Sequence, residues 1–177
     1  MQNIGFIGTG LMGFPMAKNI LKAGYKVRAF NRSKNKAEPL KDFGAEISNS
    51  IGELVKESHV VITMLTNDDA VNKVIGSDEF LNNLKPNSTV IDMSSVKQTT
   101  AINHGKNLKS RKINYLDAPV SGGTIGAEEA SLAIMIGGEQ IVFESVKDIL
   151  KSMGNPTLVG PIGSVSYTHL RAHETPI

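Results

Sequence analysis

Residues Asn3 to Ser33, NIGFIGTGLMGFPMAKNILKAGYKVRAFNRS, decide how the rest of the chain is read. A short apolar run, Ile4 to Ile7, has the length and composition of a buried strand. The glycine turn Gly8-Thr9-Gly10-Leu11-Met12-Gly13 follows at once, and Met12, Met16 and Ile20 then recur at helical spacing with Ala17 and Leu21 beside them. Gly24 ends that helix, and Tyr25 to Phe30 reads as a second strand running into Asn31-Arg32-Ser33. A bare G-x-G-x-x-G is often an ordinary turn. Set between a strand and a helix, with a second strand after it, the motif is a dinucleotide-binding fingerprint.

Each glycine answers a steric demand. Gly8 permits the tight turn, Gly10 lets the backbone approach a pyrophosphate, and Gly13 lets the helix lie close on the strand. The free N–H groups of the first helical turn and the helix dipole then favour an anion. Gly8, Gly10, Leu11, Met12 and Gly13 are therefore candidate cofactor residues.

Beyond this stretch strands and helices alternate. Ser33 to Phe43 is polar and helix-permissive, interrupted by Pro39 and stopped by Gly44. Ala45 to Ser48 reads as a short strand, and Ile51, Leu54 and Val55 mark a turn of helix. His59 to Leu65 is a continuous apolar run, as in a strand covered on both faces. Helix is expected over Asp68 to Ile75, strand over Thr89 to Asp92, helix over Thr99 to Leu108 and strand over Ile113 to Leu116. A glycine-rich turn, Ser121 to Gly126, precedes a strand at Leu132 to Ile136. A helix carrying Val142, Val146, Ile149, Leu150 and Met153 follows, then a last strand at Thr157 to Val159. This alternation predicts one α/β domain with a doubly wound, mainly parallel sheet of the Rossmann type, over residues 1–163.

Composition narrows the function classes. The formal net charge is +2, and the densest basic cluster, Lys109 to Lys112, falls where a helix should end, so no nucleic-acid surface is expected. There is no cysteine, which excludes disulfides and thiolate metal sites, and no metal site is expected. No apolar run approaches the roughly 18 residues of a membrane span, and the first strand begins almost at residue 1, so a cytoplasmic protein without a signal peptide is expected.

The later motifs point to a family. Asp117-Ala118-Pro119-Val120-Ser121-Gly122-Gly123, then Gly126-Ala127 and Ile134-Met135-Ile136-Gly137-Gly138, resemble the β-hydroxyacid dehydrogenases, which include 3-hydroxyisobutyrate dehydrogenase and tartronate semialdehyde reductase. Gly8 to Gly13, Asn31-Arg32, Met64-Leu65 and Asp92-Met93-Ser94-Ser95 fall where that family has its other N-terminal signatures. The resemblance implies an oxidoreductase that moves a hydride between a nicotinamide cofactor and a small 3-hydroxyacid or its semialdehyde. It implies pyrophosphate binding at Gly8 to Gly13, nicotinamide and ribose contacts at Leu65, Thr66 and Ser95, and a substrate carboxylate held by Ser121, Gly122 and Gly123. A serine followed by two glycines offers several donors in a small space, which suits an anion. The family's Leu-Pro is Leu65-Thr66 here, which releases a fixed φ, and its D-x-S-T is Asp92 to Ser95, which keeps a hydroxyl.

Charge at the end of the second strand favours NADP(H), with NAD(H) as the alternative. Asn31 stands where an NAD-binding domain places an acid for the ribose 2′-hydroxyl, and Arg32, Ser33 and Lys36 can hold a 2′-phosphate. In the family a catalytic lysine, in a K-x-x-N-N pattern, lies on a long helix beyond the position of residue 163, followed by a helical domain through which subunits associate. Here Ser164 to Thr175, SVSYTHLRAHET, resembles one reading frame of a transposase adapter used in sequencing libraries. Residues 164–177 are accordingly expected to be a processing artefact, and His169 and His173 within them are not read as a metal or acid/base pair. The expected outcome is a cofactor domain that binds but does not turn over, from a homo-oligomeric parent. The alternatives are a 6-phosphogluconate dehydrogenase-like enzyme and a non-catalytic NADP-binding scaffold.

Overall fold

The computed structural model describes residues 2–165, so of the adapter-like run that begins at Ser164 all but its first two residues, His169 and His173 included, lie outside the described residues. Six parallel strands form the body of one sheet: β1 (Asn3–Ile7), β2 (Lys26–Phe30), β3 (Glu46–Ile47), β4 (Val60–Thr63), β5 (Thr89–Asp92) and β6 (Asn114–Asp117), in the order 3-2-1-4-5-6. The register puts Phe6 between Ala29 and Ile62, and runs Thr63, Asp92 and Asp117 side by side across three strands. Beyond β6 the sheet turns antiparallel. β8 (Leu132–Gly137) pairs with β6 through Gly137 and with the short β7 (Val120–Ser121), and β9 (Gly154–Gly160) runs parallel to β8.

Helices cover both faces, which is why the segment around β4 reads as a continuous apolar run. On one face α1 (Gly13–Lys22), α6 (Gly123–Glu129) and α7 (Gln140–Lys151) bury Met16, Ile20, Ala127, Val146 and Leu150 against Ile4, Phe6, Ile62 and Leu116. On the other, α2 (Ile51–Lys56), α3 (Asp68–Ile75), α4 (Asp78–Asn83) and α5 (Gln98–Ser110) pack Leu54, Ile75, Phe80 and Leu108 on Ile7, Val61, Val90 and Tyr115. The expected doubly wound sheet is the one observed.

Four local readings are corrected. Ser33 to Phe43 forms two 3-10 turns, Lys34–Lys36 and Glu38–Phe43, not an α-helix, with Pro39 in the opening turn of the second and Gly44 closing it at φ +101. The helix α4 has its own cap, the Ser77 hydroxyl accepting from the Phe80 N–H, and buries Phe80 and Leu81. The glycine-rich turn after β7 becomes α6 from Gly123 onward, because packing of Gly126 and Ala127 against the strand overrides weak helix propensity. Finally, β9 is longer than Thr157 to Val159. It includes Pro156, which an edge strand tolerates.

Candidate functional site

All the parallel strands end at the same side of the sheet, and the loops that leave β1 and β4 diverge there, at the point where strand order reverses. Ligands of open α/β sheets bind in that crevice. The glycine turn seats directly on the β4 exit. Gly8 has φ +101, and a Cβ on it would overlap the Met64 carbonyl oxygen; a Cβ on Gly13 would overlap the carbonyl oxygen of Gly8. Around Gly10, by contrast, no heavy atom lies within 4 Å of a Cβ position. That glycine faces open space, the cradle a phosphate group needs. The helical ladder begins with the Phe14 N–H donating to the Gly10 carbonyl at 3.0 Å, so the amides of Leu11 to Gly13 precede the ladder, and no acid stands in the first turn of α1.

The exit of β2 is wired to this turn. Asn31 Oδ1 accepts from the Thr9 N–H at 2.9 Å, its Nδ2 donates to the Ser33 carbonyl at 3.0 Å, and Thr9 Oγ1 donates to the Lys36 carbonyl at 2.9 Å. Asn31 thus fixes the glycine turn, leaving Arg32, Ser33 and Lys36 exposed around it. A cleft of about 640 Å³ opens beside Thr9, Gly10 and Leu11 and is walled by Phe14, Lys18 and Lys36. Its outer rim, with Lys22 and Glu128, runs towards α6, where Asn19 Nδ2 donates to the Ala127 carbonyl at 2.7 Å. Arg32 does not line this cleft.

Loops after β4 and β5 form the other half of the crevice. Leu65 is half-buried and Thr66 exposed; Ser95 is exposed while its neighbour Ser94 is buried. Ser94 Oγ accepts from the Leu65 N–H at 2.8 Å, and Asp68 Oδ2 accepts from the Lys97 N–H at 3.0 Å and from Thr100 Oγ1 at 2.7 Å. These ties replace the stiffness that a proline at Thr66 would have given. Sequence reasoning missed Ser94, Thr63 and Asp68; the available signal was an acid closing the short strand Thr89–Asp92 behind Val90 and Ile91, since buried carboxylates are rare and need partners. Those partners are Thr63 Oγ1 at 2.8 Å and the Ser94 N–H at 3.1 Å, both donating to Asp92 Oδ1.

The electrostatics follow from burial. Burial pushes the Asp92 carboxyl up to about 6 against the opposing hydrogen bonds from Ser94 and Thr63. Burial also raises the Tyr115 phenol well above its usual value, with the Asp92 and Asp117 carboxyls adding to the effect. Burial acts on Asp68 in the same direction, but the bonds from Thr100 and Lys97 outweigh it and hold that carboxyl below its usual range. His104, 2.7 Å from Asn72 Oδ1, is depressed by burial. The substrate turn follows β6 at the same end of the sheet. The Ala118 N–H donates to the Asp92 carbonyl at 2.8 Å, Ser121 pairs with Ala133, and Gly122 turns the chain at φ +137. Ser121, Gly122 and Gly123 are all exposed. Among the described residues no three His, Asp or Glu side chains are grouped to hold a metal ion, and no helix is long and apolar enough to cross a membrane.

Comparisons with known proteins agree with this geometry. A family model for the NAD binding domain of 6-phosphogluconate dehydrogenase matches residues 3–165. An uncharacterized oxidoreductase of Bacillus subtilis, YkwC, is 40% identical over 171 residues, covering 96% of this chain and 59% of the relative. The mitochondrial 3-hydroxyisobutyrate dehydrogenase of Drosophila melanogaster is 38% identical over 154 residues, 86% of this chain and 47% of the relative. The structure of Mycobacterium tuberculosis 3-hydroxyisobutyrate dehydrogenase with L-serine superposes with a TM-score of 0.93 at 32% identity, over 97% of this chain and 59% of that one. The chain therefore spans between 47% and 59% of the length of these three proteins.

Proposed function

The chain belongs to the 6-phosphogluconate dehydrogenase-type family of NAD-binding domains, in the group that includes the 3-hydroxyisobutyrate dehydrogenases, and from that premise we propose that it binds NADP(H) in preference to NAD(H) and serves hydride transfer to or from a small 3-hydroxyacid. Binding of NAD(P) is the coarser statement that the family carries; the choice of NADP rests on the end of β2. No carboxylate stands there to accept from a ribose 2′-hydroxyl. Asn31 is occupied in holding the Thr9 amide, and the exposed Arg32, Ser33 and Lys36 surround the turn with donors. That single observation carries the cofactor reading.

The remaining roles are divided among the loops. The amides of Leu11, Met12 and Gly13 take the pyrophosphate over the open face of Gly10. Leu65, Thr66 and Ser95 line the nicotinamide end, and the Ser121 hydroxyl with the amides of Gly122 and Gly123 takes the substrate carboxylate. The nicotinamide, when bound, supplies or accepts the hydride, and the protein orients it and excludes its wrong face. A cytoplasmic location and a homo-oligomeric parent belong to the same proposal; the Drosophila relative is named mitochondrial.

Titration of the 177-residue chain with NADPH and NADH tests the cofactor reading. NADPH is expected to bind at least tenfold more tightly, and Arg32→Ala is expected to weaken NADPH by about tenfold while leaving NADH unchanged, the scale of one charge-assisted hydrogen bond. Equal affinities, or tighter NADH, would refute it. We further propose that this chain binds cofactor without turnover. Near the nicotinamide end the Asp92 and Asp117 carboxyls are buried and the Asp68 carboxylate accepts from the Lys97 N–H and Thr100 Oγ1, so none of these three acids is placed to pass a proton. Steady oxidation of 3-hydroxyisobutyrate or a homologous acid by the purified chain would overturn this. A natural gene that encodes residues 164–175 as they stand here would overturn the artefact reading of the tail, whereas one that runs past codon 163 into a K-x-x-N-N helix would support it.

A further inference from the structure

Three loops that the proposed function assigns to nicotinamide and substrate converge on one residue whose side chain makes no contact of its own with solvent. Asp92 ends β5 in register with Thr63 of β4 on one side and Asp117 of β6 on the other, and all three are fully buried. In-register neighbours in a sheet are about 4.8 Å apart between strands and point to the same face, so two carboxyls sit next to each other inside the protein. Through Oδ1 Asp92 holds the Thr63 hydroxyl and the Ser94 N–H; Ser94 in turn holds the Leu65 N–H through Oγ. Through its backbone carbonyl Asp92 holds the Ala118 N–H, at the start of the segment that leads to Ser121. Its second carboxylate oxygen, Oδ2, and the Tyr115 hydroxyl have no hydrogen-bond partner among the described residues.

We propose that Asp92 is a positioning residue of the dinucleotide site: as a carboxylate it locks the Leu65–Thr66 and Ser94–Ser95 loops into the arrangement that holds the nicotinamide end, and gaining a proton releases that lock. The proposal rests on the reading of these loops as cofactor loops. Its chemistry is a competition. A dry, crowded interior favours the neutral acid, whereas each bond that organises the loops is made to the anion and strengthens it. The groups around Asp92 all bear on that balance. β6 presents Tyr115 and Asp117, β4 presents Thr63, and the Asp68 carboxylate at the head of α3 repels the anion, itself tempered by Lys97 at the head of α5; His104 on α5 is turned to Asn72 instead. The outcome is a carboxyl that titrates near 6, where an ordinary aspartate would already be fully ionised. In its neutral form the carboxyl accepts more weakly from Ser94, and the loop tie through Leu65 slackens.

The test compares the full chain with Asp92→Asn, which keeps an oxygen for Thr63 and Ser94 but cannot ionise, and with Ser94→Ala, which removes the relay to Leu65. The probe is NADP+, and its own phosphate titration is common to all variants. If only the anionic form is competent, the wild-type Kd rises about tenfold more than that of Asp92→Asn between pH 7 and pH 5. Ser94→Ala weakens binding about fivefold at pH 7. In the free protein, the amide resonances of Leu65 and Ser94 titrate together with a midpoint near 6, and stay flat in Asp92→Asn. The sign for stability runs the other way. Since the folded pKa is raised, the native state keeps a proton between about pH 4 and 6 that the unfolded chain has released. The folding equilibrium of wild type relative to Asp92→Asn therefore improves about tenfold as the pH falls from 7 to 5. Identical pH dependence of binding in wild type and Asp92→Asn, or Leu65 and Ser94 amides that do not titrate together, overturns the proposal. If wild type binds neither NADP+ nor NAD+ at pH 7, the cofactor reading fails instead, and the amide titration alone then decides whether Asp92 couples the two loops.

Discussion

Gly13→Val is expected to destabilise the protein by about 3 kcal/mol or more, whereas Gly10→Ala should leave stability within about 0.5 kcal/mol and still weaken dinucleotide binding at least tenfold. The two positions lie in one turn but meet opposite surroundings. A Cβ at Gly13 overlaps the backbone carbonyl of Gly8, which cannot swing aside like a side chain, because the Thr9 N–H of the same peptide group is held by Asn31 Oδ1 at 2.9 Å. The only relief is to lift α1 off β1, exposing Met16, Ala17 and Ile20, all buried in the core. Gly8→Ala belongs with Gly13→Val, since its φ of +101 adds backbone strain to an overlap with the Met64 carbonyl. Gly10 has an ordinary φ and nothing within 4 Å of a Cβ position, so alanine fits the free protein and fills only the space kept for a phosphate. Urea unfolding and NADPH titration on the three variants check this pattern. A Gly10→Ala variant that binds normally would show that the pyrophosphate does not cross that face. One destabilised as much as Gly13→Val would show that the turn is strained in a way its surroundings do not reveal.

That contrast also marks what the sequence could and could not disclose. The jobs of Gly8 and Gly13 were readable because they are local: a strand, a turn and a helix in succession from Asn3 to Lys22 leave few ways to pack. The buried strand β4 was readable for a related reason, since a strand covered by helices on both sides is largely apolar. Asn31 was readable as the absence of an acid, but not as the clamp on the Thr9 amide, because that bond spans twenty-two residues. The network of Thr63, Asp92 and Ser94 was hidden more deeply. It depends on the register between β4 and β5, which no periodicity within either strand encodes, and a buried acid at a strand end gives no hint of which neighbour satisfies it. The helix α6 was hidden because its own sequence, Gly123 to Glu129, opens with glycine and has weak propensity; it is helical on account of what it rests against.

What it rests against yields the second large effect. Leu132→Ala is expected to cost about 2–5 kcal/mol and to loosen the Ser121–Gly123 turn along with the fold. Leu132 is fully buried at the start of β8, and its Cδ2 lies 3.3 Å from the Cβ position of Gly122 and 3.2 Å from that of Gly126. The leucine methyl thus occupies the space that these two glycines leave open, and it forms the floor beneath the proposed carboxylate turn. Truncation removes that floor at a place where the backbone on both sides is fixed, by β8 pairing with β9 below and by Asn19 holding the Ala127 carbonyl above. Collapse is therefore restricted, which puts the cost towards the upper part of the range. The same geometry predicts non-additivity. Gly126→Ala alone introduces a methyl group at 3.2 Å from Leu132, tighter than ordinary contact, so it should destabilise slightly; in the Leu132→Ala background the added methyl enters the cavity and should recover about 1 kcal/mol relative to the sum of the single changes. Urea midpoints for the two single variants and the double variant measure that coupling. Strict additivity would mean that Leu132 supports the sheet without supporting the turn. A coupling of the expected sign would make the leucine a structural determinant of the turn's position, although it touches no ligand.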